Sequence, residues 1–293
     1  MRTRTRWLVL ATVALAGCAD GDGVTDPAGP GAHRTANLWW FLFVVVLVLA
    51  VVCRRHRGPD TPEVDHDAPS AMRWVLGGGV LLPALVLPVT FGVTLWTMAE
   101  DADAHGELTV EVTGRQWFWD VLYAGTGAVT ANEIHIPVDV PVRFLLRSDD
   151  VAHSFWVPQL AGKIDLIPGE TNELVLEADE PGTYTGRCAE FCGLQHTNMR
   201  FIVVADEPAD FEEWLAEQEA DAALPDDAVA AKGLEVFQSS CSYCHTDRGT
   251  GITGDVGPDL THVSRRRQLA AVIATQYCRF ELQALLAYLE TLR

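Results

Sequence analysis

The stretch Cys188-Ala-Glu-Phe-Cys192-Gly-Leu-Gln-His196-Thr-Asn-Met199 places two thiols, an imidazole and a thioether close together in the chain. Soft and borderline ligands of this kind favour copper, and the methionine argues against zinc. Successive spacings of four, four and three residues let one folded loop wrap these donors around a compact centre. A second imidazole, His153, lies upstream in DDVAHSFWVP. The strand that carries His153 is expected to close the centre from the side.

Two other interpretations of the cysteine pair remain open from the residues alone. Two cysteines four residues apart in an exported protein could form a disulfide, although so short a loop is geometrically awkward. They could also belong to a structural zinc site. Ligand type favours copper over both.

The sequence on either side of this loop predicts an all-β domain over residues 106–206. Short alternating or apolar runs are separated by turn-forming pieces rich in Gly and Pro, a pattern typical of a β-sandwich or a small Greek-key barrel. The runs are LTVEV (108–112), EIHIPV (133–138), VRFLLRS (142–148), ELVLEA (173–178) and RFIVVA (200–205).

Further towards the N-terminus, two apolar runs predict a transmembrane hairpin over residues 36–99. The spans are expected at about 37–53 and 74–98, and both lengths are near the roughly 20 residues that a bilayer-crossing helix needs. Arg54, Arg55 and Arg57 follow the first span, so the positive-inside rule places the connecting loop in the cytoplasm and everything after Met98 outside. Pro83, Pro88 and three consecutive glycines predict a bent second helix that packs closely against a membrane partner.

The first residues read as an export signal, with three arginines before a short apolar run. Leu15-Ala16-Gly17-Cys18 fits the bacterial lipoprotein pattern, so residues 1–18 are predicted to be a signal peptide with Cys18 lipidated. An ordinary signal peptide with an incidental cysteine is the alternative. Either interpretation places the protein in the bacterial inner membrane as a multi-pass protein whose later domains lie on the outer, periplasmic face.

Charge is unevenly distributed along the chain. The 293 residues carry a formal charge of -19, yet 48% of them are hydrophobic. Residues 100–227 hold 27 of the 40 acidic side chains and only 6 of the 21 basic ones. An acidic surface repels phosphates, which excludes nucleic acid as the default partner. The apolar content excludes a fully disordered acidic chain.

The C-terminal region carries a second chemical motif. After an acidic linker at 207–227, Cys241-Ser-Tyr-Cys244-His245 has the spacing of a c-type haem attachment site, in which two thioethers hold haem and the histidine binds iron. With GLEVFQSSC leading into this motif and Gly257-Pro258-Asp259-Leu260 after it, residues 228–293 resemble class I cytochrome c, which implies a small all-α, cytochrome c-like domain. The methionines are Met1, Met72, Met98 and Met199, so no methionine follows the motif. His262 and Cys278 are the remaining candidate donors to the iron.

These motifs together resemble subunit II of cytochrome c oxidase of the haem-copper family. The resemblance rests on the Cys188–Met199 loop, on DDVAHSFWVP, on KIDLIPGE after it and on GRQWFWD (114–120) before it, in the family's order and spacing. It covers roughly residues 35–205 and implies a cupredoxin fold with a binuclear copper A centre. The added haem motif resembles the caa3 type, although the C-terminal domain is shorter than the family pattern and lacks its methionine loop.

The resemblance also implies roles for single residues. Cys188 and Cys192 would bridge two coppers, and His153 and His196 would each cap one. Met199 and the backbone carbonyl of Glu190 would be weak outer ligands, while the Glu190 side chain would reach a magnesium ion shared with subunit I. Trp117 aligns with the family's electron-accepting tryptophan, although by itself it reads as a packed sheet aromatic.

The implied function is that of a terminal oxidase subunit that takes electrons from cytochrome c, or from the fused haem, and passes them through copper A to subunit I. The implied partners are subunit I, other membrane subunits, cytochrome c and membrane lipid. Proton translocation belongs to such a complex, but SAMRWVLGGG (70–79) lacks the glutamate of the family's proton path. Alternatives are the copper A subunit of a nitric oxide reductase, or a non-catalytic structural subunit without metal.

Overall fold

The computed structural model describes residues 23–56, 69–103, 106, 108–268 and 279–292. The predicted signal peptide with Cys18, the loop at 57–68 and Cys278 lie outside the described residues. Residues 33–104 form one compact unit, and the remaining described residues form the other.

Two long apolar helices dominate the first unit. Helix α1 is Pro30–His56. Helix α2 (Pro69–Trp74) continues through a π-helical segment, Val75–Leu81, into helix α3 (Leu82–Asp103). The stretches Pro30–Arg55 and Met72–Ala99 are long and apolar enough to cross a membrane, and they enclose the predicted spans.

The second helix departs from regular α geometry where its sequence weakens the helix. Gly77, Gly78 and Gly79 lie in the π-helical segment, where the backbone N–H of Leu82 donates to the carbonyl of Gly77. Glycine has the lowest helix propensity after proline, and Pro88 inside α3 supplies no N–H at all. The irregularity therefore has a local cause in the sequence.

The second unit contains a sandwich of two five-stranded sheets. The first sheet has the order β3-β2-β1-β5-β8 and the second has the order β4-β10-β9-β6-β7. The strands are β1 (Leu108–Arg115), β2 (Phe118–Tyr123), β3 (Val129–Ala131), β4 (Glu133–Pro137), β5 (Val142–Ser148), β6 (His153–Trp156), β7 (Ile164–Leu166), β8 (Asn172–Leu176), β9 (Gly182–Cys188) and β10 (Arg200–Asp206).

Strand pairing in both sheets is mixed. Strand β1 runs parallel to β5 and antiparallel to β2, while β10 runs parallel to β4 and antiparallel to β9. Parallel neighbours require connections that cross between the sheets, which gives a Greek-key arrangement rather than a simple meander. The predicted β-sandwich is confirmed.

Alternating burial shows how the sandwich core forms. In β1, Val110 and Val112 are fully buried while their neighbours are half-buried, as expected for a strand with one face inward. The centre of the core is aromatic: the rings of Phe155 and Phe201 stack at 4.4 Å, and Trp119 meets both edge-on. Phe201 lies on β10, which follows the cysteine loop, and Phe155 lies on β6, the strand that begins with His153.

The C-terminal region follows the sandwich within the same unit. It contains α4 (Pro208–Glu219), α5 (Ala228–Ser240), the short strands β11 (Thr246–Asp247) and β12 (Ile252–Thr253), and α6 (Arg279–Leu289). Helix α5 begins after Asp227, whose carboxylate accepts the backbone N–H groups of Val229 and Ala230.

Helices α5 and α6 pack closely on each other. Gly233 lies directly against the backbone of Ala284, where a Cβ would overlap the carbonyl oxygen. Beside it, the rings of Phe237 and Tyr288 meet at 5.6 Å in a small separate core. The described part of this region combines helices with a two-stranded sheet, and the cytochrome c-like fold remains a prediction.

Candidate metal centre

The two strands β9 and β10 fix the ends of the cysteine loop. Cys188 is the last residue of β9, and Met199 immediately precedes β10. The backbone N–H of Cys188 donates to the carbonyl of Met199 at 3.0 Å, so the sheet ladder continues to the base of the loop. His153 begins β6, the neighbour of β9 on its other side. The sheet thus brings the upstream histidine to the loop.

Five side-chain donors converge at this point. The Sγ atoms of Cys188 and Cys192 lie 3.8 Å apart. The Nδ1 atom of His153 lies 3.9 Å from Cys188 Sγ, and that of His196 lies 3.7 Å from Cys192 Sγ. The Sδ atom of Met199 is 3.7 Å from Cys192 Sγ. Each cysteine therefore has its own histidine, and the methionine lies on the Cys192 side.

A sixth donor comes from the backbone. The carbonyl oxygen of Glu190 lies 3.1 Å from Cys188 Sγ, whereas Met199 lies near Cys192 Sγ. Two thiols, two imidazoles, a thioether and a carbonyl form a donor set of the kind that copper takes. The chemistry of the donors therefore fits the predicted metal.

Burial separates the inside of the loop from its outside. His153 is fully buried, and the side chains of Cys188, Cys192 and Met199 are almost so. In contrast, Phe191 and Leu194, which alternate with the donors, are 75% and 92% exposed. The loop presents its polarisable atoms inward and a pair of large apolar side chains outward, which is unusual for a surface that faces only water.

Asp150 fixes the orientation of His153. Its carboxylate lies 2.8 Å from Nε2 of His153, so the proton sits on Nε2 and Nδ1 faces the cysteines. The same carboxylate accepts the backbone N–H groups of Gln116 and Val151, each at 2.6 Å. Burial alone would lower the pKa of His153, but its bonds to Cys188 and Asp150 raise it.

The two thiols differ in acidity. Burial alone would raise the pKa of Cys188, but the hydrogen bond with His153 and backbone hydrogen bonds lower it to about 6. Burial raises the pKa of Cys192 to about 12, and the charge on Cys188 contributes to that rise. Without metal, one thiolate forms readily and the second does not. Binding of a cation to both sulfurs must therefore release a proton.

Trp117 and Gln116 lie against the same loop. The indole Nε1 of Trp117 donates to the carbonyl of Cys192 at 3.1 Å, and the side-chain amide of Gln116 donates to that carbonyl at 2.7 Å. Trp117 is half-buried. Trp117 was expected at the site from the sequence, whereas Gln116 and Asp150 were not. The carboxylates before His153 in DDVAH and the side chain next to Trp117 were the available signals.

The haem-type motif lies at the end of α5. Cys241 follows the helix directly, and Cys244 and His245 complete a tight turn whose N–H groups both donate to the carbonyl of Cys241. The Nδ1–H group of His245 donates to the carbonyl of Pro258 at 2.8 Å. That bond leaves Nε2 as the nitrogen available to a metal.

His262, the candidate sixth donor, is hydrogen-bonded to the linker through one of its ring nitrogens. It is buried, and its Nε2 donates to the carbonyl of Ala220 in the linker at 3.0 Å. Cys278, the other candidate, lies outside the described residues.

Comparison with known proteins identifies the family of this chain. The family model described as "Cytochrome C oxidase subunit II, periplasmic domain" matches residues 128–206. Cytochrome c oxidase subunit 2 of Alkalihalophilus pseudofirmus is 35% identical over 93% of this chain and 85% of its own length. The chain belongs to the cytochrome c oxidase subunit II family.

Subunits 2 of other oxidases are also similar to this chain. Quinol oxidase subunit 2 of Bacillus cereus is 30% identical over 69% of this chain and 75% of its own length. A solved structure of the periplasmic domain of subunit II of cytochrome oxidase from Bradyrhizobium japonicum is 29% identical. It covers 40% of this chain and 99% of its own, with a TM-score of 0.38.

Family membership gives the coarse function. The chain is subunit II of a haem-copper terminal oxidase, the subunit through which electrons enter an oxidoreductase complex. It associates with subunit I and other subunits, and it is membrane-anchored with a periplasmic domain. The family implies a copper A site, and the converging donors fit that metal centre.

Proposed function

We propose that the chain holds a binuclear copper A centre and delivers electrons from a c-type cytochrome to subunit I. The observation that carries this proposal is the convergence of the two cysteine sulfurs, 3.8 Å apart, with a histidine nitrogen within 4 Å of each. When bound, copper A supplies a site that takes up and gives back one electron with little change in geometry.

Each donor has a distinct role in this proposal. Cys188, Cys192, His153 and His196 would hold the copper ions, and Met199 and the carbonyl of Glu190 would be weaker ligands. The buried side chains exclude water and hold the donors in place, because the aromatic core lies directly beneath β6, β9 and β10.

The exposed edge of the loop is the surface proposed to meet subunit I. Phe191 and Leu194 are 75% and 92% exposed, and they offer apolar surface to a partner at this edge. The Glu190 side chain is exposed beside them, in a position from which it can bind a magnesium ion shared with subunit I.

Electrons are proposed to reach copper through Trp117. Its indole donates to the carbonyl of Cys192, which gives a hydrogen-bonded route from a half-buried ring to a copper ligand. The acidic residues concentrated in 100–227 attract a basic cytochrome c and raise its rate of association more than its affinity.

The C-terminal domain is proposed to carry haem c as an internal electron donor. Cys241 and Cys244 form the thioethers, and His245 binds iron through Nε2. The bond from His245 to the Pro258 carbonyl and the close packing of α5 on α6 support this assignment. His262 would remain a candidate second ligand, because only its Nε2 is bonded to the linker and its buried Nδ1 has no hydrogen-bond partner among the described residues. A peroxide-dependent haem stain tests attachment, and a negative stain after co-expression with the attachment machinery refutes it.

Membrane placement completes the proposal. Helix α1 and the α2–α3 helix cross the inner membrane as a two-pass hairpin packed on subunit I and on lipid, with the later domains outside. Trp39, Trp40 and Phe43 cluster at the outer end of α1, where aromatic side chains favour the membrane interface. Cleavage of 1–18 and lipidation of Cys18 belong to the same proposal. The proposed domains are 36–99, 106–206, 207–227 and 228–293.

The experiment that tests the copper assignment uses the full chain loaded with copper. The wild-type protein is expected to show the purple mixed-valence absorption and the matching electron paramagnetic resonance signal. Cys192→Ser is expected to abolish both, while Cys53→Ser, at an exposed cysteine of α1, leaves them unchanged. A metal-free structural subunit would give no signal in any of the three proteins, and that result would overturn the proposal.

A further inference from the structure

A buried histidine lies between two carboxylates at the edge of the sandwich. His135 on β4 is 5% exposed. Its Nδ1 lies 2.5 Å from a carboxylate oxygen of Asp206, and its Nε2 lies 3.0 Å from one of Glu133. Its ring also stacks on Trp214 of α4 at 4.0 Å. Ionised carboxylates only accept hydrogen bonds, so this arrangement is satisfied by an imidazolium with a proton on each nitrogen.

The second oxygen of Glu133 holds the C-terminal module. Here the C-terminal module means the described residues 228–268. Glu133 Oε2 accepts the backbone N–H of Arg267 at 2.6 Å and that of Gln268 at 3.3 Å. We call these two bonds the docking contact. A single carboxylate thus joins the protonated histidine of the copper domain to the backbone of the module.

Polar, charged and aromatic groups on the neighbouring elements also face the His135 ring and its two carboxylates. The Tyr123 hydroxyl on β2 donates to the carbonyl of His135 and accepts its N–H, each at 2.8 Å. Asp206 faces the ring from β10, and Trp214 covers it from α4 without a charge. The Arg266 guanidinium of the module interacts electrostatically with Glu133. Burial raises the pKa of Tyr123, which keeps that hydroxyl neutral.

The acid–base properties of the pair agree with the geometry. Burial alone would lower the pKa of His135, but the hydrogen bonds to Asp206 and Glu133 raise it above its ordinary value. Burial alone would raise the pKa of Glu133, but the bonds to His135 and to the Arg267 backbone lower it. The charged pair therefore persists over a wider pH range than the free side chains would allow.

The same interface continues towards the proposed electron path. Arg115 donates to the carbonyl of Asp255 at 2.9 Å. Arg115 lies two residues before Trp117, and Asp255 lies in the loop whose two glycines, at 254 and 257, pack against His245. When the docking contact fixes the module, the loop that contains Asp255 and packs on His245 therefore faces the side of the copper domain that carries Trp117.

We propose that Glu133 and His135 are positioning residues that hold the C-terminal module on the copper domain, and that the docking contact forms only while Glu133 is ionised and His135 is protonated. The proposal rests on the proposed function in taking the module as the electron donor. The stability that protonated His135 gives to the docking contact is complete below the ordinary histidine pKa of about 6.5. It is lost as the pH rises through the raised pKa of His135. The stability that ionised Glu133 gives to the docking contact is complete above the ordinary glutamate pKa of about 4.3. It is lost as the pH falls through the lowered pKa of Glu133.

Amide hydrogen exchange of the full chain tests this directly. The quantity measured is the protection factor of the peptide containing residues 266–268, which is the exchange rate of the unstructured peptide divided by that of the same peptide in the folded chain at the same pH. Glu133→Gln and His135→Gln are compared with the wild type. Glu173→Gln is the matched control, because Glu173 forms an exposed ion pair with Arg143 on β5, away from the module. Protection is expected to fall about tenfold in the first two variants and not in the control.

The pH profile separates positioning from a merely structural role. Wild-type protection at 266–268 is expected to fall as the pH rises beyond about 6.5, and this fall is expected to be absent from His135→Gln. Equal protection in the wild type and both variants, or an unchanged pH profile in His135→Gln, would overturn the proposal. If a variant loses protection in β1 and β5 as well, it has misfolded, and the wild-type pH profile alone decides.

Failure of this proposal can be distinguished from failure of the proposed function. The exchange measurement needs neither copper nor haem. A chain that lacks the copper absorption or the haem stain but shows pH-dependent protection retains the docking contact. A chain that binds both cofactors but shows no such protection would support the proposed function and contradict the docking proposal.

Discussion

Replacing Asp150 with asparagine tests whether the copper ligands are held by a charged support. The carboxylate of Asp150 accepts hydrogen bonds from Nε2 of His153 and from the backbone N–H groups of Gln116 and Val151. In Asp150→Asn the side chain offers one oxygen and one NH2 group. With the NH2 group in place of Oδ2, the N–H of Gln116 faces another donor; with it in place of Oδ1, both His153 and Val151 do, and in either case the remaining bonds lose their charge.

The expected loss follows from these bonds. A hydrogen bond to a charged group contributes about 1.5–3 kcal/mol and a neutral one about 0.5–1.5 kcal/mol, so the exchange costs about 1–2 kcal/mol. That energy corresponds to a factor of about 5–30. Supporting residues around metal ligands typically change affinity by about 10–100-fold, in the same range. We therefore expect copper affinity to fall by roughly tenfold.

The assay is a copper titration of the full chain against a competing chelator, followed by its visible absorption. Asp149→Asn is the matched control, because Asp149 is the adjacent carboxylate, is 53% exposed and pairs with Arg115 rather than with a ligand. The control is expected to bind copper as the wild type does. An affinity for Asp150→Asn within about twofold of the wild type, or an equal loss in Asp149→Asn, would refute the reasoning.

Three further predictions concern the core, the electron path and the surface. Gly186→Ala is expected to lower the free energy of unfolding by about 1–3 kcal/mol in chemical denaturation, because its methyl group would overlap the ring of Phe201. Gly162→Ala, where no atom lies within 4 Å, should change it by less than about 0.5 kcal/mol. Trp117→Phe removes the donor to the carbonyl of Cys192 and is expected to slow reduction by external cytochrome c in stopped-flow measurements while the copper spectrum stays intact; equal rates would contradict this route. Association of a basic cytochrome c is expected to slow at least about tenfold when salt is raised from about 10 mM to about 150 mM, and a salt-independent rate would exclude steering by the acidic surface.

Local patterns in the sequence predicted about half of the sandwich strands. The five quoted runs correspond to β1, β4, β5, β8 and β10, each to within a few residues. Strand β6 was expected at His153 without bounds, and β2, β3, β7 and β9 were not among the quoted runs. Those segments are short, or they carry Gly, Trp and His at positions that the site and the core require, so their alternation is weak.

The site shows a similar division. Cys188, Cys192, His196 and Met199 could be grouped from their spacing, because one loop contains them all. His153 could be added as a second imidazole, but it lies far upstream of the loop, and its approach to Cys188 depends on the pairing of β6 with β9. Asp150 and Gln116 escaped notice because a carboxylate or an amide beside a ligand has no distinctive spacing.

The sequence by itself determined the chemistry: which soft donors are present, the two apolar stretches and the haem-type motif. These follow from side-chain type and short-range order, which need no fold. The tertiary structure decided which donor faces which, how Asp150 sets the protonated nitrogen of His153, and how Glu133 meets the backbone at Arg267 and Gln268. Such contacts join residues that are far apart in the chain, and only the pairing of strands and the packing of domains brings them within hydrogen-bonding distance.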